Sequence, residues 1–342
     1  MNPYDHLPVV WFLLLGALFI GYAVLDGFDL GVGTLLLLAK TDTDRRILLN
    51  SIGPTWNGNE VWLVVGGGAM FAAFPNVYAT VFSGFYLPFL FLLVGLIFRA
   101  IAIEFRSREP SPAWRQGWDV SFAVASTVIG FLSGVALGNI ALGVPIGKDG
   151  EYAGGFFNLI NPYSVIAGAT AVSLFTMHGS IYLVLKTEGE IQQRARTWVK
   201  GSMISFGLMY AVLTMATFLF APHMAAKIQE NPILFLFPIF TLLLIANIPR
   251  EISRGKEMGA FISSSLSIAA LLSLFGLGLF PNLVLSRPNP ENSLTIVNSA
   301  ASGPALEIMF NIALLGLPFV FGYTITIYYV FRGKVKVESL HY

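Results

Sequence analysis

Residues 7–38 have the sequence LPVVWFLLLGALFIGYAVLDGFDLGVGTLLLL. As a helix this run is long enough to cross the roughly 30 Å of hydrocarbon in a bilayer. It is about twice as long as the apolar core of a cleaved signal peptide, and no basic segment precedes it. We therefore interpret it as a retained membrane span that carries two carboxylates, Asp26 and Asp29, inside its apolar stretch.

The composition extends this interpretation to the whole chain of 342 residues. Hydrophobic residues make up 55% of it and charged residues only 11%, whereas soluble domains carry roughly a quarter charged residues. The net charge of +1 gives no reason to expect a nucleic-acid partner. Because the chain has no cysteine, disulfides, iron–sulfur clusters and thiolate-ligated zinc or haem are excluded.

Apolar runs recur along the chain and predict an all-α membrane protein with about nine transmembrane helices. The predicted spans are 7–38, 52–74, 77–103, 120–144, 163–185, 199–220, 233–248, 260–280 and 305–331. Pro75 and Asn76 predict a tight hairpin between the second and third spans. Residues 281–304 are predicted to form an outer loop. With no loop long enough for a soluble domain, we expect residues 1–342 to form a single transmembrane domain.

Basic residues predict the orientation of these helices. Seventeen of the 20 lie in every second connection and in the C-terminal tail, and the other connections hold only Lys148, Lys227 and Arg287. Because Lys and Arg accumulate in cytoplasmic loops, this division predicts an external N-terminus and a cytoplasmic C-terminus.

Three polar segments interrupt the apolar pattern, and LDGFDLGVG (25–33) is the first. Asp26 and Asp29 stand about 60° apart on one helix face with Gly33. Gly27 and Gly31 form a G-x-x-x-G pattern, which allows a second helix to approach closely. Ionisable residues within a span are costly and indicate a function. The alternative is that both carboxylates sit at the helix end and bind solvent or a nearby lysine.

The second segment is GPTWNGNEVWLV (53–64), which places Asn57, Asn59 and Glu60 between Trp56 and Trp62. Tryptophans that flank a polar patch are often interfacial anchors, and we interpret this pair in that way. Glu60 is harder to explain as a surface residue, because the apolar helix begins directly after it.

The third segment is FRAIAIEFRSR (98–108), which contains Arg99 and Glu104. These two side chains point about 140° apart on a helix and therefore do not pair with each other. Asp29 or Glu60 is the expected counter-ion of Arg99. Two interpretations remain open at this point, a structural ion pair that joins helices and a proton path from the cytoplasm.

Histidines decide whether the chain is expected to bind haem, which usually needs them in membrane bundles. His6, His223 and His341 lie outside the predicted spans, and only His178 lies within one. A bis-histidine site is therefore not expected. We interpret His178 as a hydrogen-bonded packing residue and expect no haem or metal ion in this chain.

Taken in order and spacing, these segments resemble subunit II of the cytochrome bd quinol oxidases. The other matching segments are FSGFY (82–86), GNIALGVP (138–145) and FFNLINPY (156–163). The match is dense over residues 1–186 and looser afterwards. Many members of this family have Asp in a W-D-G-N motif where this chain has Asn57, so a proton path that uses a carboxylate there cannot run unchanged.

The resemblance implies a fold of two four-helix bundles plus one helix, in the bacterial cell membrane. It also implies a partner, subunit I, that carries haem b and haem d and binds quinol, while oxygen is reduced to water with cytoplasmic protons. A small accessory subunit and membrane lipid are further candidate partners. Without the resemblance, a secondary transporter with a charged site is the main alternative, and a purely structural subunit is another.

Overall fold

The computed structural model of the protein describes residues 4–335, so Lys336 and His341 lie outside the described residues. Within this range the chain forms twelve α-helices. They are α1 (Leu7–Leu35), α2 (Asp42–Ile52), α3 (Trp56–Ala73), α4 (Pro75–Gly84), α5 (Tyr86–Phe105), α6 (Pro112–Leu142), α7 (Pro162–Lys186), α8 (Gly189–Phe220), α9 (His223–Glu230), α10 (Leu236–Ser253), α11 (Glu257–Leu279) and α12 (Gly303–Val330).

Eight membrane-spanning candidates among the described helices are long and apolar enough to cross a bilayer. They correspond to eight of the predicted spans, and the predicted all-α membrane fold is confirmed. The remaining predicted span is α3, an 18-residue helix. Its first turn contains Asn57, Asn59 and Glu60, which lower the mean hydropathy of the helix.

The connections between these helices gather at two ends of the bundle. At one end, which we call the basic end, Arg194 of α8 lies 2.7 Å from Asp44 of α2, and Lys186 of α7 donates to the carbonyl of Gly333 at 2.9 Å. At the opposite end the amide of Ala301 donates to the carbonyl of Ala73 at 2.9 Å. The connections alternate between the two ends only if α3 is counted as a crossing, which supports about nine spans.

The third predicted span differs from the structure. Residues 75–105 form two helices, α4 and α5, with a break at Phe85. Pro88 lies in the first turn of α5, where the missing N–H of proline costs nothing because that turn has no intrahelical acceptor for it. The helix therefore restarts at Tyr86. Pro75 begins α4 directly after Phe74, so the predicted hairpin is a change of helix direction at Phe74.

The loop after α11, which the sequence predicts to be an outer loop, packs on the loop after α6. It contains a two-stranded antiparallel sheet of β1 (Asn282–Val284) and β2 (Leu294–Thr295). The amide of Val144 donates to the carbonyl of Leu285 at 2.9 Å, which joins the two loops. These contacts close the end of the bundle opposite the basic end.

Helix packing explains where buried polar residues are tolerated. Helices α1, α3, α5 and α6 pack as one group and α7, α8, α10 and α11 as a second, with α6 and α7 in extensive contact between them. Helix α12 touches α1 and α3 but buries only Leu306 of its 28 residues. Helix α1 lies at the centre, against α3, α6 and α7, so residues on its basic half are shielded from lipid.

Candidate functional site

Asp26 and Asp29 lie on the central helix α1 and are both completely buried, with 0% of their surface exposed. Lys40, the nearby lysine that was an alternative partner, is exposed. The alternative in which these carboxylates simply bind solvent at a helix end is therefore wrong. Two buried carboxylates need compensating charge or protons, because an isolated buried charge costs several kcal/mol.

Glycines of α1 allow neighbouring helices to close around these carboxylates. A Cβ built on Gly31 would lie 2.9 Å from the Cα of Gly179 in α7. A Cβ on Gly27 would lie 2.8 Å from the ring of Phe175, and one on Gly33 would overlap a serine side chain of α6. Helices α1 and α7 are thus in direct backbone contact beside the buried acids, which leaves no room for bulk water on that side.

Arg99 reaches the two carboxylates from α5 and is itself completely buried. Its Nη1 donates to Asp26 Oδ2 at 2.9 Å, and its Nη2 donates to Asp26 Oδ1, so the pair is bidentate. The same Nη2 lies 3.8 Å from Asp29 Oδ2. The first counter-ion of Arg99 is therefore Asp26. Asp29 lies within ion-pair distance of Arg99, as predicted, but Asp26, one helical turn further into the span, is the closer partner and was not predicted.

Asp29 has a different partner, Asn59 of α3. Asn59 Nδ2 donates to Asp29 Oδ2 at 2.7 Å, and Asn59 Oδ1 accepts from the hydroxyl of Tyr328 in α12 at 2.8 Å. Asp29 Oδ1 is buried and has no hydrogen-bond partner among the described residues. We call Asp26, Asp29, Asn59, Glu60 and Arg99 the acidic cluster.

Glu60 is the member of the cluster that reaches the surface of the chain. Its side chain is partly exposed and lies within electrostatic range of Arg99 and Asp26. Asn57 is exposed on the same helix, and Glu104 is exposed at the end of α5 with no hydrogen bond or ion pair to another described residue. The structure brings Asp26, Asp29, Asn59, Glu60 and Arg99 together and leaves Asn57 and Glu104 outside.

The two tryptophans differ in their burial, since Trp56 is buried and Trp62 is partly exposed. Trp56 is 8% exposed and belongs to the large apolar core at the basic end. The ring of Trp62 lies against Gly21 of α1 and 6.2 Å from the ring of Phe321 in α12. Trp56 is therefore a packing residue and not an interfacial anchor, since its side chain is buried in this core.

The charges of the cluster define what it can do. Asp26 and Arg99 neutralise each other, whereas no second cation stands beside Asp29 among the described residues. Ionising Asp29 would leave one uncompensated negative charge in a buried site, so the cluster has room for one exchangeable proton. A carboxylate with one free oxygen, buried near a partly exposed acid, is a group that can accept and release a proton.

Comparison with known proteins gives a consistent result over the full length. The family model described as "Cytochrome bd terminal oxidase subunit II" matches residues 7–331. This chain belongs to that family. Cytochrome bd-I ubiquinol oxidase subunit 2 of Escherichia coli (strain K12) is 34% identical, with 99% of this chain and 98% of the relative covered. Cytochrome bd ubiquinol oxidase subunit 2 of Bacillus subtilis (strain 168) is 35% identical, with 96% of each covered.

A solved structure supports the shared fold. One chain in the structure of bd oxidase from Geobacillus thermodenitrificans matches with a TM-score of 0.80 at 16% identity, covering 95% of this chain and 98% of that one. This subunit II chain is thus a multi-pass protein of a bacterial membrane, part of a quinol:oxygen oxidoreductase complex that contains haem. The alternative of a secondary transporter is set aside.

Sequence analysis missed a second ionic network, at the basic end of subunit II. Arg106 follows α5 and is buried, and its Nε donates to Asp119 Oδ1 of α6 at 2.6 Å. Its Nη2 donates to Asp42 Oδ1 of α2 at 2.7 Å. Arg45 and Arg115 complete the network from α2 and α6. It joins three helices, and only Asp119, directly before the predicted span 120–144, hinted at it.

Asp42 of this second network is held in its ionised form. Burial would raise the pKa of Asp42, but the hydrogen bond from Arg106 and the charges of Arg106, Arg115 and Arg46 outweigh burial and lower that pKa. A carboxylate with a lowered pKa stabilises the fold above its ordinary pKa, and that contribution is lost as pH falls through the lowered value. The network therefore fixes α2 at neutral pH.

His178, the one histidine predicted within a span of subunit II, is fully buried. Its Nε2 lies 3.0 Å from the carbonyl oxygen of Val24, which can only accept, so Nε2 carries the proton. Its Nδ1 lies 2.7 Å from Ser264 Oγ and accepts from that hydroxyl. Both nitrogens are engaged, so the residue does not fit a haem axial ligand. Among residues 4–335, no group of three or more acidic or histidine side chains is placed to hold a metal ion.

Proposed function

We propose that this chain is the haem-free partner of a haem-bearing subunit I and that it carries cytoplasmic protons toward the site of oxygen reduction. In this proposal subunit I holds haem b and haem d and binds quinol, and residues 1–342 act as one transmembrane unit beside it. Lipid surrounds the pair, and a small accessory subunit is a further partner. The engagement of both nitrogens of His178 supports the absence of haem from this chain.

One observation carries the proton-path proposal, namely the unmatched carboxylate of Asp29. Asp26 shares a bidentate ion pair with Arg99, but Asp29 has only the amide of Asn59 and a distant Arg99 nitrogen. Proton carriers within membranes are typically acids in shielded positions of this kind. Glu60, partly exposed at the same depth of α3, is the entry group, because Asn57 cannot titrate.

The ion pair of Asp26 and Arg99 favours a second role, in assembly. It joins α1 to α5 at a point where neither charged side chain is exposed to solvent. Each charge is therefore compensated only by the other helix, which fixes the two helices relative to each other. We propose that these two residues are mainly structural, whereas Asp29 and Glu60 exchange protons. A purely structural subunit, without proton exchange, is the competing proposal.

Neutral variants separate the two proposals. Asp29→Asn is expected to lower oxygen consumption per haem about tenfold or more, since positioned proton transfer typically contributes ~10²–10⁴ in rate. Glu60→Gln should lower it by less, because solvent can replace a partly exposed entry group. The measurement is turnover per haem in purified complexes with unchanged haem spectra.

Glu104→Gln is the matched control for these variants, since Glu104 is an exposed acid at the same end of the bundle and lies outside the acidic cluster. It should turn over at the parental rate. If Asp29→Asn and Glu60→Gln also assemble and turn over at that rate, the structural proposal stands in place of the proton path.

We also propose that the basic end faces the cytoplasm, with the N-terminus outside. The concentration of Lys and Arg at that end supports this orientation. Reporter fusions after Lys40, Arg108, Arg196 and Lys256 are expected to behave as cytoplasmic, and fusions after Lys148 and Asn289 as external. A cytoplasmic signal at Lys148 or Asn289 would contradict both the orientation and the nine-span count. The predicted cytoplasmic fusion at Tyr342 lies outside the described residues.

A further inference from the structure

Tyr328 is a partly buried polar residue of α12 that the sequence patterns do not single out. Its side chain crosses from α12 to α3, and its hydroxyl donates to Asn59 Oδ1 at 2.8 Å. Helix α12 otherwise buries only Leu306 among its side chains. Because α12 is only weakly packed against its own chain, this hydrogen bond contributes little to packing. Its main consequence is for the orientation of Asn59.

The amide of Asn59 can be placed in either of two orientations. It can offer its NH₂ group to Asp29 and its oxygen to Tyr328, as the structure shows, or the reverse. The two ends of an amide are nearly equal in shape, so the neighbouring hydrogen bonds decide the orientation. With the tyrosine hydroxyl donating to Oδ1, the NH₂ group is directed at the Asp29 carboxylate.

The end of α12 is anchored so that Tyr328 keeps its position. Lys186 of α7 donates to the carbonyls of Phe331 and Gly333, and the amide of Val335 donates back to the carbonyl of Lys186. Lys334 lies 3.3 Å from Glu257 of α11. These contacts fix the last turn of α12 directly after Tyr328, although most of the helix is exposed.

We propose that Tyr328 is a positioning residue for proton exchange at Asp29. By holding the Asn59 amide with its NH₂ group toward Asp29, it keeps a donor available each time that carboxylate loses its proton. Without this donor, the ionised carboxylate would either lack a hydrogen-bond partner or face the amide oxygen, which repels it. The proposal rests on the proposed function of Asp29. It adds Tyr328, which contacts neither the Asp29 carboxylate nor the proton that Asp29 exchanges.

Tyr328→Phe removes only the hydroxyl oxygen and is the first test. Oxygen consumption per haem at saturating quinol should fall about three- to tenfold, the range that corresponds to one neutral hydrogen bond lost near the reacting group. The KM for quinol should not change. Tyr329→Phe is the control, because this neighbouring tyrosine of α12 is exposed and its hydroxyl makes no hydrogen bond to another described residue. It should retain the parental rate.

A double-variant cycle distinguishes positioning from packing. Asn59→Leu deletes the donor to Asp29 and should slow turnover at least as much as Tyr328→Phe. The double variant should be no slower than Asn59→Leu alone, because the tyrosine acts only through the asparagine. Losses that add, or an Asn59→Leu complex with parental turnover, would overturn the proposal. If Tyr328→Phe yields too little complex to assay, the turnover of Asn59→Leu still tests the proposal.

Asp29→Asn, measured alongside, separates the failure of this inference from the failure of the proposed function. If Asp29→Asn is slow while Tyr328→Phe keeps parental turnover per haem, the tyrosine has no positioning role and the proton path stands. A lower yield of Tyr328→Phe complex with parental turnover per haem also overturns the positioning role. If Asp29→Asn itself turns over normally, both proposals are overturned together.

Discussion

Replacing Arg99 by alanine should leave little assembled oxidase in the membrane. Among the residues that the structure describes, the substitution removes the one cation beside two buried carboxylates, and Asp26 loses both of its charge-assisted hydrogen bonds. Removal of one partner from a buried ion pair typically costs about 3–5 kcal/mol, because the remaining charge is uncompensated. Whole proteins are stable by only about 5–15 kcal/mol, so a large share of the folded subunit would be lost.

Two further variants make the Arg99 result specific. Arg99→Lys keeps the charge but cannot form the planar bidentate pair, so its yield should lie between those of the parent and of Arg99→Ala. Arg108→Ala removes an exposed arginine nine residues further along and should assemble normally. Haem content per membrane protein reports assembly. A parental haem content in Arg99→Ala would show that the carboxylates need no fixed counter-ion.

The position of the acidic cluster could be predicted from the sequence because charge inside a span is expensive and therefore conspicuous. Asp26, Asp29 and Arg99 stand out against the apolar neighbours in their segments. The multi-span all-α pattern was equally accessible, since span length follows from the thickness of the bilayer. These features depend on local sequence and on the surrounding solvent.

The pairing within the cluster could not be predicted in the same way. The depth and rotation of α5 against α1 decide that Arg99 meets Asp26 before Asp29, and both depend on side-chain packing along the whole helix pair. Tyr328 was missed because a tyrosine near the end of an apolar helix is common, and its partner Asn59 lies 269 positions earlier in the chain. Contacts of this separation have no local signature.

The G-x-x-x-G glycines show a third case, in which the pattern predicted a close approach without naming the partner helix. The structure identifies it as α7, where Gly179 faces Gly31. A methyl group on Gly31 would overlap the carbonyl oxygen of Phe175 and stand 2.7 Å from its carbonyl carbon. Backbone atoms in the middle of a helix cannot rotate away as a side chain can, so the whole of α7 would have to move.

Gly31→Ala is therefore expected to lower the yield of the complex several-fold, although alanine normally stabilises a helix relative to glycine by roughly 0.5–1 kcal/mol. Overpacking a close contact typically costs ~1–3 kcal/mol, and a clash with backbone lies at the upper end. Gly16→Ala is the control on the same helix, since a Cβ there meets no atom within 4 Å. It should assemble at least as well as the parent.

Separation of α1 from α7 would also stretch the 3.0 Å contact between Val24 and His178. Any Gly31→Ala complex that survives should thus turn over more slowly per haem, because a displaced α1 changes the spacing of Asp29 and Asn59. Parental yield and turnover would mean that α1 and α7 are not in backbone contact at this point.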